Sequence, residues 1–309
     1  MKPPTVSVVI PCYNQAQFLP EAVDSVLGQT FQDFEIVVVN DGSTEPESQR
    51  ALKEFSAPKT IVLHQENQGR CRARNNGIRQ SSGRHVLCLD ADDKIGPFFL
   101  EKAVALLESS SDLGGVTCRA ELFGAKTGEW KLADHTDMLS MLFDHCVPST
   151  CVLFRREDWE KVGGFDPKLD KLCEDFDLWL SLLELGRGIH KIPEVMFYYR
   201  KHPQATTVQI GRMGESGKYE LMHETNLYIF RKHHKLYLEH AGLYVERLFT
   251  RMASDRPRFA SVKASKYRLL LRCYKALSAL PPLRVFSEKR IRKLERKLGD
   301  ASFYLEGRR

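Results

Sequence analysis

An open α/β sheet, mixed but mainly parallel, flanked by helices and followed by a helical C-terminal extension, is the fold this sequence predicts. Three observations predict it. Thr5–Pro11 (TVSVVIP) and Phe34–Asn40 (FEIVVVN) are short, β-branched and apolar nearly throughout, as strands buried on both faces of a parallel sheet must be. Helical spacing of apolar residues separates them, and the strand–helix alternation continues to about residue 113. Polar residues gather where these strands end, which is where open α/β sheets bind ligands.

Taken in order, Phe18, Leu19, Ala22, Val23, Val26 and Leu27 recur at helical spacing and complete a first strand–helix–strand unit. Thr60–His64 then reads as a strand, Gly69–Gln80 as a polar helix, His85–Leu89 as a strand and Pro97–Leu107 as a helix. Right-handed crossovers would bring three polar strand ends into one crevice: Pro11-Cys12-Tyr13-Asn14, Asn40-Asp41-Gly42-Ser43, and the run Asp90-Ala91-Asp92-Asp93. Tyr13 offers a flat ring on which a base can stack, and Asp41 an acceptor for a ring N–H such as that of uracil. In isolation, core packing explains Tyr13 and an Asx turn before Gly42 explains Asp41 equally well.

Asp90, Asp92 and Asp93 repel one another unless a cation sits among them, and their hard oxygen donors suit Mg²⁺ or Mn²⁺. A diphosphate is the natural companion of such an ion. Two other readings fail. As a calcium loop, Asp90, Asp92 and Glu101 are well spaced, but Lys94 and Ile95 stand where an oxygen ligand and the turn glycine belong. As a phosphatase nucleophile motif, the run lacks small residues after Asp93. A solvated acidic turn is the plain alternative.

Arg70 and Arg74 lie one helical turn apart in NQGRCRARNNG, with Arg72 off their face. A basic helix start of this kind can hold phosphate through side chains and free N–H groups, or be an ordinary solvated face. The first strand is not followed by GxGxxG, which removes the main support for dinucleotide binding.

Beyond Leu113 the alternation fades. Gly114–Arg119 and Cys151–Phe154 read as strands, with an irregular stretch around Trp130 and His135, and Gly163-Gly164-Phe165-Asp166 as a turn. Phe176, Leu178, Trp179, Leu182 and Leu183 mark a helix, with Glu174 and Asp175 in its first turn, where carboxylates also suit the helix dipole.

At 309 residues, 42% apolar and 28% charged, the chain is an ordinary globular protein with one large core and an appendage. Its eight cysteines contain no CxxC pair, which argues against a zinc site or a disulfide framework and for a reducing compartment. Met1-Lys2-Pro3-Pro4 leads straight into a strand, so the expectation is no signal peptide, and no apolar run reaches the ~20 residues needed to cross a bilayer.

These stretches together resemble the family-2 glycosyltransferases of GT-A fold, inverting enzymes that use nucleotide sugars. The resemblance spans roughly residues 5–205 and rests on VSVVIPCYN, VVVNDGS, NQGRCRARNNGI, LCLDADD, RREDWEKVGGFD, CEDFDLWL and YYRKH in that order. It implies that Pro11, Tyr13, Asn14 and Asp41 bind the nucleotide, that Arg74 lies near its phosphates and that Asp90 faces the ribose or sugar-phosphate. It further implies that Asp92 binds the metal, that Asp175 is the general base and that Glu174 beside it contacts sugar or acceptor. His202 resembles a position that approaches metal or diphosphate, surface exposure being the alternative. The implied domains are a catalytic one over 1–210, divided near 112 into nucleotide-sugar and acceptor halves, and a basic helical extension over 211–309.

Within the extension, residues 251–309 hold 17 Lys/Arg against 5 Asp/Glu, a net +12 that leaves −6 for residues 1–250. The partner expected for such a tail is anionic. Leu269, Cys273, Ala276 and Leu280 follow helical spacing until Pro281-Pro282, and a basic amphipathic helix is expected from Ser287. Residues 284–309 would then lie on an anionic membrane surface and bring the site to a lipid-linked acceptor, or pack on the catalytic domain. Nucleic acid is not expected, because aromatic residues are not spaced among the basic ones. The expected location is cytoplasmic, peripheral to the inner membrane face if the tail binds lipid. A nucleotidyltransferase would more naturally carry a glycine-rich phosphate loop, and a binding-only relative is disfavoured by the intact Asp90, Asp92 and Asp175.

Overall fold

The computed structural model describes residues 2–133, 136, 138–143, 147, 150–254 and 292. The first compact unit runs from Met1 to His234 and contains the sheet. It opens with β1 (Val6–Cys12), α1 (Leu19–Leu27), β2 (Phe34–Asp41), α2 (Pro46–Glu54), β3 (Thr60–Gln65), α3 (Arg70–Gln80), β4 (His85–Cys88), the short β5 (Lys94–Ile95) and α4 (Phe99–Ser109). It continues with β6 (Leu113–Gly124), β7 (Gly128–Trp130), α5 (Met138–Phe143), β8 (Leu153–Arg155), α6 (Arg156–Val162), a 3₁₀ turn at Pro167–Leu169, α7 (Glu174–Glu184), β9 (Gly188–Lys201), α8 (Thr206–Arg212) and α9 (Gly214–Lys232).

Among the described residues the strand order is β3-β2-β1-β4-β8-β6-β9-β5, with β7 on the edge of β6. β3, β2, β1 and β4 run parallel. β8 is antiparallel to both β4 and β6, and β6 and β9 are parallel. β1 is buried at every position, as its unbroken apolar run requires, while α1 seals one face with Leu19, Ala22, Val23 and Val26.

α3 is polar, yet Cys71, Ala73, Arg74, Asn75, Gly77 and Ile78 are buried. Gly77 explains how: a Cβ there would sit 2.4 Å from Val9 Cγ1 and 2.9 Å from Val39 Cγ2, so only glycine lets the helix lie this close to β1 and β2. That close approach carries Arg74 inside.

β9 extends over 14 residues, and its pairing with β6 slips between Cys118↔Ile192 and Arg119↔Val195. Pro193 lies at the slip, where it has no N–H to give the ladder. Proline and mixed polarity hid this strand from a reading by periodicity.

The unit extends through α9, past the boundary near 210 expected from the sequence, because α9 bonds to α7 through Lys232 and to the 163–166 turn through Tyr228. The second unit, Lys235–Arg309, is described chiefly by α10 (His234–Ser254). The helices expected around 269–280 and from Ser287, with the membrane-facing stretch 284–309, lie outside the described residues apart from Arg292. No described helix is long and apolar enough to cross a membrane. Cys12, Cys71, Cys88, Cys118, Cys151 and Cys173 are free thiols.

Candidate active site

Leaving β4, the chain delivers Asp90, Asp92 and Asp93 with one carboxylate oxygen of each within 4.8 Å of the others. Asp93 is buried, and burial followed by the charges of Asp92 and Asp90 pushes its pKa well above the carboxylate range. Its Oδ1 accepts from Arg200 N at 2.8 Å, and Arg200 Nε donates to Asp92 O at 2.8 Å. His202 Nε2 lies 2.8 Å from Asp92 Oδ2. The hydrogen bond to Asp92 is the main reason the imidazole pKa is raised. His202 is only 8% exposed, which removes the alternative of a surface residue. Arg200 and His202 are spaced two apart at the end of β9, a strand period that was legible once β9 was known. Oxygen donors this close, whose mutual charge is part of what raises the pKa of the buried Asp93, fit a hard divalent cation that would relieve that repulsion.

Glu174 and Asp175 open α7 after Cys173, which holds a left-handed backbone (φ 63°) despite its side chain. Conformations of this kind gather at functional sites. Asp175 Oδ1 accepts from Phe176 N at 2.8 Å. Its pKa is pushed up to about 6, first by burial and then by the charge of Glu174, against the pull of Phe176 N–H, Arg74 and Arg70. Asp177, two residues on, faces the other way, paired with Lys232 at 2.7 Å and His233 at 2.9 Å.

One side chain connects the two acidic groups. Arg74, 1% exposed, donates from one terminal nitrogen to Glu174 Oε1 at 2.7 Å and from the other to Asp90 Oδ1 at 2.6 Å. Burial alone would lower its pKa, but Asp90 and Glu174 together hold it well above the ordinary value. Arg70, one turn earlier, reaches the same Glu174 oxygen at 3.5 Å. Residues about 85 positions apart in sequence therefore meet across one guanidinium.

Both terminal nitrogens of Arg74 are bonded to carboxylates, so it ties the two acidic groups together. The start of α3 is not an open anion site: Cys71 N donates to Asp170 Oδ1 at 2.8 Å, and Arg70 donates to Asp170 O and Lys171 O. Asn75 likewise bonds both Phe165 N and Phe165 O. Asp170 and Asn75 gave no signal in the sequence, because each acts by bonding main chain that lies far away along the polypeptide.

On the other side of the crevice, Pro11 is buried in β1 beside Val39. Tyr13 is 43% exposed, which removes core packing as its role and leaves a ring face open. Asn14 (φ 53°) spends its amide on the loop after β2: Oδ1 accepts from Thr44 N and Glu45 N, and Nδ2 donates to Thr44 Oγ1. It therefore holds the turn that presents Tyr13. Asp41 is buried and accepts from Gln65 Nε2 at 2.7 Å and from Gln68 N and Gly69 N at 2.9 Å each. Of a carboxylate's roughly four acceptor positions, one is left for a ligand N–H.

A parallel nucleotide-type half-sheet, an acidic metal-type cluster at a strand end and a facing carboxylate pair define a class. The model of glycosyl transferase family 2 matches residues 7–163, and the chain belongs to that family. Among curated relatives, an uncharacterized glycosyltransferase of Nostoc is 34% identical over 212 residues, covering 64% of this chain and 65% of that protein. One of Rickettsia prowazekii is 31% identical over 214 residues, covering 66% of each. The match thus spans just under two thirds of either relative's length. The crystal structure of S. aureus TarS 1–349 in complex with UDP-GlcNAc superposes with a TM-score of 0.59 at 20% identity, over 98% of this chain and 92% of that one. At that identity the likeness is one of fold, and it bears out the expected GT-A architecture.

Proposed function

We propose that this chain is an inverting glycosyltransferase that moves a hexose or N-acetylhexosamine from a uridine diphosphate sugar to a hydroxyl of a glycan or lipid-linked acceptor, in the synthesis of cell-surface polysaccharide. The observation that carries this is the Arg74 bridge, which sets Glu174, the neighbour of Asp175, against Asp90 at the metal-type cluster. A UDP sugar is favoured by the exposed Tyr13 ring, the remaining acceptor position on Asp41 and the UDP-GlcNAc bound to the similarly folded TarS.

Tyr13 stacks on the base and Asp41 accepts from its ring N–H. Asp90 and Glu174, both fixed by Arg74, bracket the transferred sugar. Asp175 takes the proton of the acceptor hydroxyl as its oxygen bonds to the anomeric carbon. The bond from that carbon to the diphosphate oxygen breaks, and its electron pair leaves with the nucleoside diphosphate. A single base and a direct displacement invert the anomeric centre, with oxocarbenium character developing as in glycoside hydrolysis. Asp90, Asp92 and Asp93 would hold Mg²⁺ or Mn²⁺, with His202 orienting Asp92; when bound, that ion supplies Lewis-acid stabilisation of the departing diphosphate.

A general base must be ionised, so turnover should rise with pH through about 6 and level off above it. Asp175→Asn should bind UDP-GlcNAc as the parent does, by calorimetry, while releasing UDP at least ~10²-fold more slowly. Near-parental turnover in this variant rejects the base assignment. Asp92→Ala should abolish the dependence of UDP binding on Mn²⁺ in the same calorimeter.

A further inference from the structure

The end of α9 makes a set of polar contacts, centred on the buried Asp177, for which the reaction outlined above has no use. Tyr228 OH donates to Asp166 Oδ2 at 2.8 Å, and Lys232 Nζ reaches the same oxygen at 3.0 Å. Lys232 Nζ also donates to Asp177 Oδ2 at 2.7 Å, and His233 Nε2 lies 2.9 Å from Asp177 Oδ1. Asp177 and His233 are 0% and 1% exposed, and the other ring nitrogen of His233 stands 3.1 Å from Glu184 at the far end of α7. Two buried carboxylate oxygens are therefore each matched by a donor from α9, an arrangement that fixes direction as well as charge.

What these contacts hold is the first turn of α7. Asp177 N bonds back to Cys173 O at 3.1 Å, closing the turn that contains Glu174 and Asp175. Asp166, the other carboxylate gripped by Lys232, caps the 3₁₀ turn through Lys168 N at 3.0 Å and follows Phe165, which Asn75 of α3 holds. Asp175 itself touches none of these groups; its one side-chain hydrogen bond among the described residues is to Phe176 N. Its aim therefore depends on where the turn is placed from behind.

We infer that Lys232 and His233 are positioning residues for the general base, clamping the first turn of α7 so that Asp175 points at the acceptor oxygen. The inference rests on the assignment of Asp175 as that base. Remote misplacement of a reacting group by about 1 Å can cost ~10²-fold in rate, so loss of the clamp appears in turnover and not in donor affinity. The nucleotide is held across the crevice by Tyr13 and Asp41, and Glu174, though it lies in the clamped turn, is fixed independently by Arg74, so donor binding does not depend on the clamp.

The test measures UDP release from UDP-GlcNAc with water as acceptor and Mn²⁺ present, in the full chain. Lys232→Met should lower kcat about 10-fold or more with KM for UDP-GlcNAc unchanged, and Lys232→Arg should recover most of the loss. Placed on Asp175→Asn, Lys232→Met should cost nothing further, since there is no base left to aim. Parental kcat in Lys232→Met, a KM that rises in proportion to the lost rate, or no recovery with arginine overturns the clamp. If Lys232→Met does not fold, as judged by its melting transition, Tyr228→Phe decides: a lowered kcat at constant KM supports the clamp and an unchanged kcat overturns it. Failure of the base assignment reads differently, as Asp175→Asn retaining its turnover whatever the α9 variants do.

Discussion

The nucleotide-side half, β1 to α4, and the acceptor-side half, β6 to α9, are built on different plans. In the first, four parallel strands carry continuous apolar runs, and what each strand end presents follows from the topology. In the second, strands of mixed direction and irregular register, and the turns between them, are held in place by side chains bonding main chain, as at Lys191 of β9 and Asp166 at the 3₁₀ turn. The candidate catalytic residues belong to neither plan alone. They sit at the seam, where Arg74, Arg70 and Asn75 of α3 reach into the second half and β4 pairs with β8. The difference teaches that the first half positions by backbone geometry and the second by charge and hydrogen bonds drawn from its neighbour.

The largest expected effect breaks the seam at its charged end. Arg74→Met leaves Glu174 buried and Asp90 without a counter-charge, and should destabilise the fold by on the order of 3–5 kcal/mol in urea unfolding. A loss below about 1 kcal/mol would mean that the halves do not depend on this contact.

At the other end of β4, His85 pairs with Arg155 of β8, is 3% exposed, and has no hydrogen-bond partner among the described residues on either ring nitrogen. Burial, then the charges of Arg155 and Arg84, lower its pKa to about 4. The unfolded chain, with an ordinary value near 6.5, binds the proton first. Stability should therefore be full above about pH 6.5 and fall as pH drops toward 4, by about 3 kcal/mol from this group. Unfolding measured at pH 7 and pH 5 should show the loss, and His85→Leu should flatten it.

A smaller effect separates the two plans. Asn75→Ala leaves Phe165 N and Phe165 O without their partner and should cost about 1–2 kcal/mol, with UDP affinity unchanged. A matching loss of UDP affinity would show that the acceptor-side turn also shapes the nucleotide site.

Legibility divides along the same line. The sequence announced β1, β2, α1 and the polar strand ends because burial on both faces leaves a run of apolar residues that needs no knowledge of the rest of the chain. It announced the Asp90–Asp93 cluster and the Glu174-Asp175 pair as chemistry, and the family resemblance put them in one site. It did not announce that Arg74 spans them, since a buried arginine and a solvated one look the same in a helix as polar as α3. Arg200 and Asp170 were missed as site-builders for a related reason: each bonds main chain far away in sequence, and such bonds leave no periodicity.

The carboxylate of Asp170 finally bears on how this protein can be divided. It accepts the N–H of Cys71 in the opening turn of α3, while Glu174 neutralises Arg74 in the next. A fragment ending near residue 112 would have every parallel strand of the nucleotide side, yet its central helix would lose the Asp170 acceptor at its start and carry an interior cation stripped of one of its two counter-charges. Truncation at the apparent midpoint thus removes the ligands of the half that is kept, and the shortest piece able to stand by itself must reach at least α7.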